Sequence, residues 1–421
     1  MIYSRLQVKY VVSFFKNGMK ALFIHQNFPG QLRHLVAHLA QRPGVEILAI
    51  GRETAPGMEG IRLLRYRPHR APSKETHPYV HTFEDAVLHG QQVLRMLLDL
   101  KNQGYQPDVV IAHPGWGETL YVKLAFPGVK LIHYAEYYYH VEGADAGFDP
   151  EFSFNLENAA FISSRNVLHL FNIEQCDVAI SPTYWQKSLY PVAYHDKIHV
   201  IHEGVDVGKL GPDPEAFLKF SDGKELRPGD PVVTYVARNL EPYRGFHCFM
   251  RALPELLKAH PDCQVVVVGG DEVSYGDRPD GASNWREKML RENSIDLDRV
   301  HFLGKVNYDL YRCVLQVSAV HVYLTYPFVL SWSALEAMAC GCLLVASDTA
   351  PVREVIQHGR NGWLVDFFDG KALVEHVLYA LSNPPEAAAL RANARKTAET
   401  YSTEKGTAGY MELVEKACTL F

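Results

Sequence analysis

Residues 232–270 read VVTYVARNLEPYRGFHCFMRALPELLKAHPDCQVVVVGG. Two apolar runs of strand length, VVTYVA and CQVVVVGG, bracket a segment with helical spacing, FHCFMRALPELLKAH, which is the βαβ alternation. Strands that are apolar throughout suit a parallel sheet covered on both faces. The loop between the first strand and the helix, ARNLEPYRGF, sets Arg238 and Arg244 six residues apart, with Pro242 between them and Gly245 leading into the helix. Two guanidinium groups at a strand end can clamp a diphosphate, because each offers bidentate donors. Two arginines in a surface loop are also at home in solvent.

The pattern extends in both directions. Downstream, RVHFLG and AVHVYL read as strands, and SALEAMACG and KALVEHVLYALSN as helices. Upstream lies GPDPEAFLKFSDGKELRPGDP, which lacks periodicity and reads as a linker. Before it the same alternation runs from Lys20 to about Val205: ALFIH, EILAIG, PDVVIAH, VKLIHYAEYY and CDVAISPT as strands, LRHLVAHLAQ and YWQKSLYP as helices. An αβ pattern that restarts after a linker predicts two αβ domains rather than one large sheet. The expected organisation is an N-terminal domain over 19–207, a linker over 208–230, a C-terminal domain over 231–398, and a helical segment over 399–421 that packs back on the N-terminal domain. Ligands of such sheets sit beyond the carboxyl ends of the strands, so the expected site is the cleft between the halves.

Composition narrows the function. A chain of 421 residues fits two domains of ordinary size, and a formal net charge of −6 provides no global field for a nucleic-acid backbone. The seven cysteines, at 176, 248, 263, 313, 340, 342 and 418, include no CxxC pair and read as reduced thiols of a cytosolic protein. No stretch reaches the roughly 18 to 20 apolar residues of a membrane helix. The first 18 residues, MIYSRLQVKYVVSFFKNG, carry Arg5, Lys9 and Lys16 and no acid. They read either as a short basic element lying on an anionic membrane or as an extension outside the folded domain, with Met19 the start.

A second constellation is TYPFVLSWSALEAMACG, residues 325–341. A strand ending near Leu324, a short loop and a helix starting near Ser333 would turn backbone N–H groups toward an anion. Glu336, one turn in, could accept both hydroxyls of a ribose; Ser333 and Glu336 also fit a capping box, in which the glutamate only satisfies the helix start. His25 and His113 end predicted strands facing the cleft. His34 and His38 have the spacing of a helical metal pair but no third ligand, so a helix surface is the preferred reading. Asp271 and Glu272 follow a strand and could contact a donor or be solvated, the second being the preferred reading. The run Glu136 to His140, with Tyr137 and Tyr138, and the acidic loop carrying Glu142, Asp145 and Asp149 fall in the N-terminal half. Tyrosine faces there could stack on a carbohydrate acceptor or pack between elements.

LEAMACGCLLVASDTAPVREVI (335–356) resembles the core signature of the retaining glycosyltransferases of family 4. HQNFPGQLRHLVAHLA, IHEGVDV, ARNLEPYRG and NGWLVD resemble further motifs of that family in the same order, over roughly residues 20 to 400. The resemblance implies the GT-B fold, two Rossmann-like parallel-sheet domains facing a central cleft. It assigns Arg238 and Arg244 to the donor diphosphate, with Arg244 where most members have lysine. It assigns Glu336 to the ribose, the backbone N–H groups of Leu330, Ser331, Trp332 and Ser333 to the phosphates, Gly30 to the loop that approaches the transferred sugar, and His113 to the reacting sugar. His25, Tyr137 and Tyr138 fall on the acceptor side. At Phe328, eight residues before Glu336, the family usually has a glutamate that binds the donor sugar.

The function so implied is a retaining transfer, with no cofactor and no metal, from a nucleotide-diphosphate sugar to a glycan or lipid-linked glycan in surface polysaccharide or glycoconjugate synthesis. A UDP-sugar is favoured and a GDP-sugar is the alternative. The partners are then the donor and a carbohydrate acceptor, not nucleic acid, and the place is the cytoplasm, with peripheral contact at the inner face of the membrane as an extension. A sugar-nucleotide epimerase of the same fold and a non-catalytic sugar-nucleotide-binding subunit are the competing readings.

Overall fold

The computed structural model describes residues 18–419; the expectation about the basic N-terminal segment therefore lies outside the described residues, Gly18 apart. The chain divides into two units. Of the described residues, the first takes 18–141, 153–204 and 404–419; the second takes 142–152 and 205–403.

The first unit is built on seven parallel strands: β1 (Met19–Ile24), β2 (Val45–Arg52), β3 (Arg62–Tyr66), β4 (Val109–Ala112), β5 (Lys130–Tyr134), β6 (Val178–Ser181) and β7 (Ile198–Val200), in the order β3-β2-β1-β4-β5-β6-β7. The apolar runs have a direct cause. Leu22, Ile24, Leu48, Ile50 and Val110 face a cluster with Val93 and Leu97 of the helix Pro78–Asn102. Ala21, Phe23, Ala49, Val109 and Ile111 face the other side, against Leu35, Val36 and Leu39 of the helix Arg33–Ala40 and Met411 and Val414 of the helix Thr403–Thr419. With both faces covered, the central positions of these strands go mostly to apolar side chains.

The second unit repeats the plan. A two-stranded antiparallel hairpin, β8 (Leu218–Lys219) and β9 (Glu225–Leu226), precedes a six-stranded parallel sheet. Its strands are β10 (Val232–Asn239), β11 (Gln264–Gly270), β12 (Val300–Gly304), β13 (Val320–Tyr323), β14 (Leu343–Ser347) and β15 (Trp363–Val365), in the order β12-β11-β10-β13-β14-β15. The helix Phe246–Ala259 buries Phe246, Phe249, Met250, Leu253, Leu256 and Leu257, one stripe at helical spacing, and Phe249 stacks on Tyr235 at 4.9 Å.

Two expectations are corrected. The stretch read as a linker contributes Ala216, Leu218 and Leu226 to a core cluster of the second unit. Its hairpin turns at Asp222-Gly223, with Gly223 at φ 90°, a local turn signal. The acidic loop read with the N-terminal half belongs to the second unit instead. Each of three acids there finds a partner: Asp145 accepts from Tyr243 Oη at 2.9 Å, Asp149 accepts from Tyr326 Oη at 2.6 Å and pairs with His247 at 2.9 Å, and Glu151 pairs with Arg251 at 2.7 Å.

Both strand orders reverse direction once, between β1 and β4 in the first unit and between β10 and β13 in the second. At such a switch point the two loops leaving the carboxyl ends diverge and open a crevice. His25 and His113 follow β1 and β4; Arg238 and Thr325 stand at the ends of β10 and β13.

Candidate donor and acceptor sites

In the second unit the loop after β10 is fixed before any ligand arrives. Gly245 ends it at φ 69°, and a Cβ there would lie 2.3 Å from that of Leu324, so only glycine fits this close approach. Tyr235 Oη donates to the carbonyl of Arg244 at 2.6 Å. The Arg244 guanidinium is buried, 8% exposed, and its Nη1 donates to Thr325 Oγ1 at 2.8 Å and to the carbonyl of Val329 at 3.0 Å. Those acceptors are neutral. Among the described residues no carboxylate pairs with Arg244, so a buried positive charge stands without a counter-charge, an arrangement that an arriving anion would relieve. Arg238 is exposed and makes no hydrogen bond or ion pair among the described residues.

Arg238, Arg244, Ser331 and Ser333 line one cavity, together with Glu241, Tyr275 and Tyr323. The helix begins at Trp332, with Ser331 as N-cap accepting from the N–H of Ser333. The Ser331 N–H, expected to face phosphate, is instead donated to Tyr323 Oη at 2.8 Å. Arg244 Nη1 lies 3.5 Å from the same oxygen. With N–H groups approaching that oxygen, the Tyr323 proton is the one left to donate, so this phenol passes the helix N-terminus's donor onward. Leu330 is buried and Trp332 is 39% exposed.

Glu336 is not part of a capping box. Its carboxylate accepts from Tyr311 Oη at 2.6 Å and Tyr308 Oη at 3.2 Å, away from the helix start. Burial raises its pKa, partly offset by these two phenols. Phe328 is buried against Tyr275, at 4.9 Å, and Tyr243, at 5.7 Å. Asp271 pairs with Arg286 at 2.6 Å and Glu272 with Lys305 at 2.8 Å on the surface.

In the first unit the sequence-predicted residues also converge. His25 Nδ1 accepts from the N–H of Asn27 at 2.9 Å, which leaves Nε2 to donate to Gln31 Oε1 at 2.8 Å. Gln31 in turn donates to Glu136 Oε1 at 2.9 Å, and Glu136 Oε2 pairs with His113 Nε2 at 3.2 Å. Burial holds His25 down at about 3, and the like charge of His113 adds to the effect, so His25 is neutral. Burial pushes the Glu136 carboxyl up, but the hydrogen bond from His113 leads a set of interactions that bring it below the usual range. Trp116 stacks on His113 at 4.5 Å. Gly30, at φ 49°, is where a Cβ would meet the His25 ring at 2.3 Å. Tyr137 is buried and packs edge-on against Tyr139, and Tyr138 packs against Tyr190; both have packing roles. A second polar group lies nearby in sequence: Tyr66 Oη donates to the buried Glu118 at 2.6 Å and is bonded to His89 at 2.7 Å, while Glu118 Oε2 has no side-chain partner among the described residues.

Gln31, Glu136 and Trp116 in the first unit, and Glu241, Tyr275 and Tyr323 in the second, are site residues to which the sequence gives no role. His38 accepts from Arg42 at 3.2 Å, on the helix surface. One group among the described residues, Asp149, Glu151 and His247, has the spacing to hold a metal, but its members are bonded to one another, to Tyr326 and to Arg251. A cavity of about 450 Å³ near Ser318 and Ala319 lies at the amino end of β13, away from the switch point, and its Arg391 and Arg395 donate to backbone carbonyls.

Residues 43–210 match the family model described as Glycosyl transferase family 4 group, and residues 219–397 match Glycosyl transferases group 1. The chain belongs to glycosyltransferase family 4. Among curated proteins it is 29% identical over 222 residues to a D-inositol 3-phosphate glycosyltransferase of Rhodococcus jostii, covering 52% of this chain and 47% of the relative. It is 28% identical over 221 residues to a GDP-mannose-dependent alpha-(1-6)-phosphatidylinositol monomannoside mannosyltransferase of Mycolicibacterium smegmatis, covering 51% and 55%. The chain thus spans about half the length of these curated relatives. Solved structures share its GT-B fold: sucrose-phosphate synthase from Thermosynechococcus elongatus has a TM-score of 0.67 at 18% identity, covering 94% of this chain and 98% of that one. HepE of Anabaena in complex with UDP-glucose has a TM-score of 0.65 at 16% identity, covering 94% and 100%. No helix among the described residues is long and apolar enough to cross a membrane.

Proposed function

We propose that this protein transfers a sugar from a nucleotide-diphosphate donor, a UDP-sugar in preference to a GDP-sugar, to a hydroxyl of a glycan or lipid-linked glycan, with retention at the anomeric carbon and without a metal. The observation that carries the reading is Arg244, a buried guanidinium with neutral partners at a strand-end switch point, beside the exposed Arg238, which has no partner among the described residues. Leaving-group charge developing on the diphosphate would be met by these two cations and by the Tyr323 hydroxyl, already placed and needing little reorganisation. Glu336, held by two phenols, presents acceptor oxygens to the ribose. His25, Gln31, Glu136 and His113 form the acceptor-side group of the first unit. A cytoplasmic place, with peripheral membrane contact, goes with a lipid-linked acceptor.

Incubation with UDP-, GDP- and ADP-sugars, with and without EDTA, and measurement of nucleotide release tests the reading. Release that survives EDTA and rises with a glycan acceptor is the expected result. Binding without release would favour the non-catalytic subunit, a reading that buried Phe328 at the family's usual glutamate position keeps in play. Epimerised donor without nucleotide release would favour the epimerase.

A further inference from the structure

Glu241 lines the cavity with Arg238 and Arg244 yet faces neither as an ion-pair partner. It is 1% exposed, and its Oε2 accepts three successive backbone N–H groups from the loop after β11: Ser274 at 3.1 Å, Tyr275 at 3.0 Å and Gly276 at 3.2 Å. Oε1 also accepts from Ser274, at 3.1 Å. A carboxylate in an anion-binding cavity is unfavourable unless its charge is screened, and a nest of backbone amides does that. The same bonds fix a loop more than thirty residues away in sequence. A second fastening acts beside it, where Asn239 Nδ2 donates to Ser274 Oγ at 2.8 Å. The fastened loop carries one side chain into the cavity, Tyr275, whose ring centre lies 5.5 Å from the Arg244 guanidinium and 4.9 Å from that of Phe328.

We infer that Glu241 is a positioning residue for donor binding, holding the 274–276 loop so that Tyr275 walls the cavity against Arg244. The inference rests on the donor reading given above. Tyr275 contacts the donor; Glu241 acts through it. The ring keeps the guanidinium turned toward the diphosphate by a cation–π contact, and the phenol supplies a hydroxyl to the group bound there.

The test is a double-mutant cycle read by titration calorimetry with UDP-glucose and GDP-mannose as probes. Glu241→Ala is expected to weaken binding of the preferred probe about tenfold. Tyr275→Ala is expected to do the same, and the double variant to be no weaker than Tyr275→Ala alone, because Glu241 has then lost the group it places. Glu241→Gln keeps an oxygen where the three amides converge and is expected to restore most of the affinity. Additive losses, or an unchanged Glu241→Ala, would overturn the inference. If Glu241→Ala fails to fold, Glu241→Gln compared with Glu241→Leu in the Tyr275→Ala background gives the same reading. Binding by the wild type that is lost in Arg244→Ala but indifferent to Glu241 would overturn this inference alone; absence of binding by the wild type to any nucleotide-sugar would take the donor reading down with it.

Discussion

The two switch points of this molecule are built alike and finished differently. In the first unit the polar groups satisfy one another: His25, Gln31, Glu136 and His113 form a closed line of hydrogen bonds, walled by Trp116. In the second, Arg244 is buried with neutral partners and Arg238 has none among the described residues. One site is closed on itself, and the other holds two cations to which no carboxylate is bonded among the described residues. The difference teaches where a substitution should be felt. Changes in the closed group should cost stability, and changes in the open one should cost affinity.

The largest expected effect is that of Arg244→Ala, which removes a buried charge-assisted donor from the proposed diphosphate site. Nucleotide-sugar affinity should fall by about 3 kcal/mol, the upper range for a hydrogen bond to a charged group, in a calorimetric titration. Arg244→Lys should recover part of it, since the charge stays and the fork geometry is lost.

Gly30→Ala should destabilise the first unit by about 2 kcal/mol, because a left-handed residue and a contact with the His25 ring are both forced. Denaturant unfolding would show it, with nucleotide affinity unchanged. Loss of affinity without loss of stability would break the comparison.

Glu118 sharpens it through pH. Burial raises its carboxyl from 4.5 to about 6, so the folded first unit holds a proton that the unfolded chain releases. Its contribution is therefore most favourable below pH 4.5 and is lost as pH rises through 6, a swing of about 2 kcal/mol. Glu118→Gln should flatten that part of the stability profile; an unchanged profile would contradict the assignment.

The smallest effect is Arg238→Ala. Exposed and unpartnered, it should leave the melting temperature where it is and weaken the nucleotide-sugar by about 1 kcal/mol.

Much of this was legible in the sequence, for physical reasons. The strands of both sheets are covered on both faces, so VVTYV, VVIA and VVVV announce themselves. Arg238 and Arg244 stood out because they follow such a strand and precede a glycine that the structure shows at positive φ. The 25-residue helix Pro78–Asn102 is hard to read locally: Val93, Leu97 and Leu100 carry its spacing, but Val80, Val87, Leu94 and Leu98 lie off that stripe and blur the pattern. Tyr275, Tyr323 and Glu241 could not be read locally, as their roles come from contacts across the switch point between segments far apart in the chain. Glu136 was hidden differently: the apolar run VKLIHYAEYY suggests an unbroken strand, whereas β5 stops at Tyr134 and frees Glu136 to meet His113. The acidic loop at 142–152 looked like part of the half that precedes it, and only its pairing with Tyr243, His247 and Arg251 assigns it elsewhere.

The central claim is that the second unit holds the donor diphosphate at Arg244. A crystal structure of the protein with UDP or GDP bound tests it most directly. The account predicts diphosphate oxygens within hydrogen-bond distance of the Arg244 and Arg238 guanidinium groups, and the ribose at Glu336. A nucleotide seated elsewhere, with Arg244 still bonded to Thr325 and Val329 and to no phosphate, would contradict it.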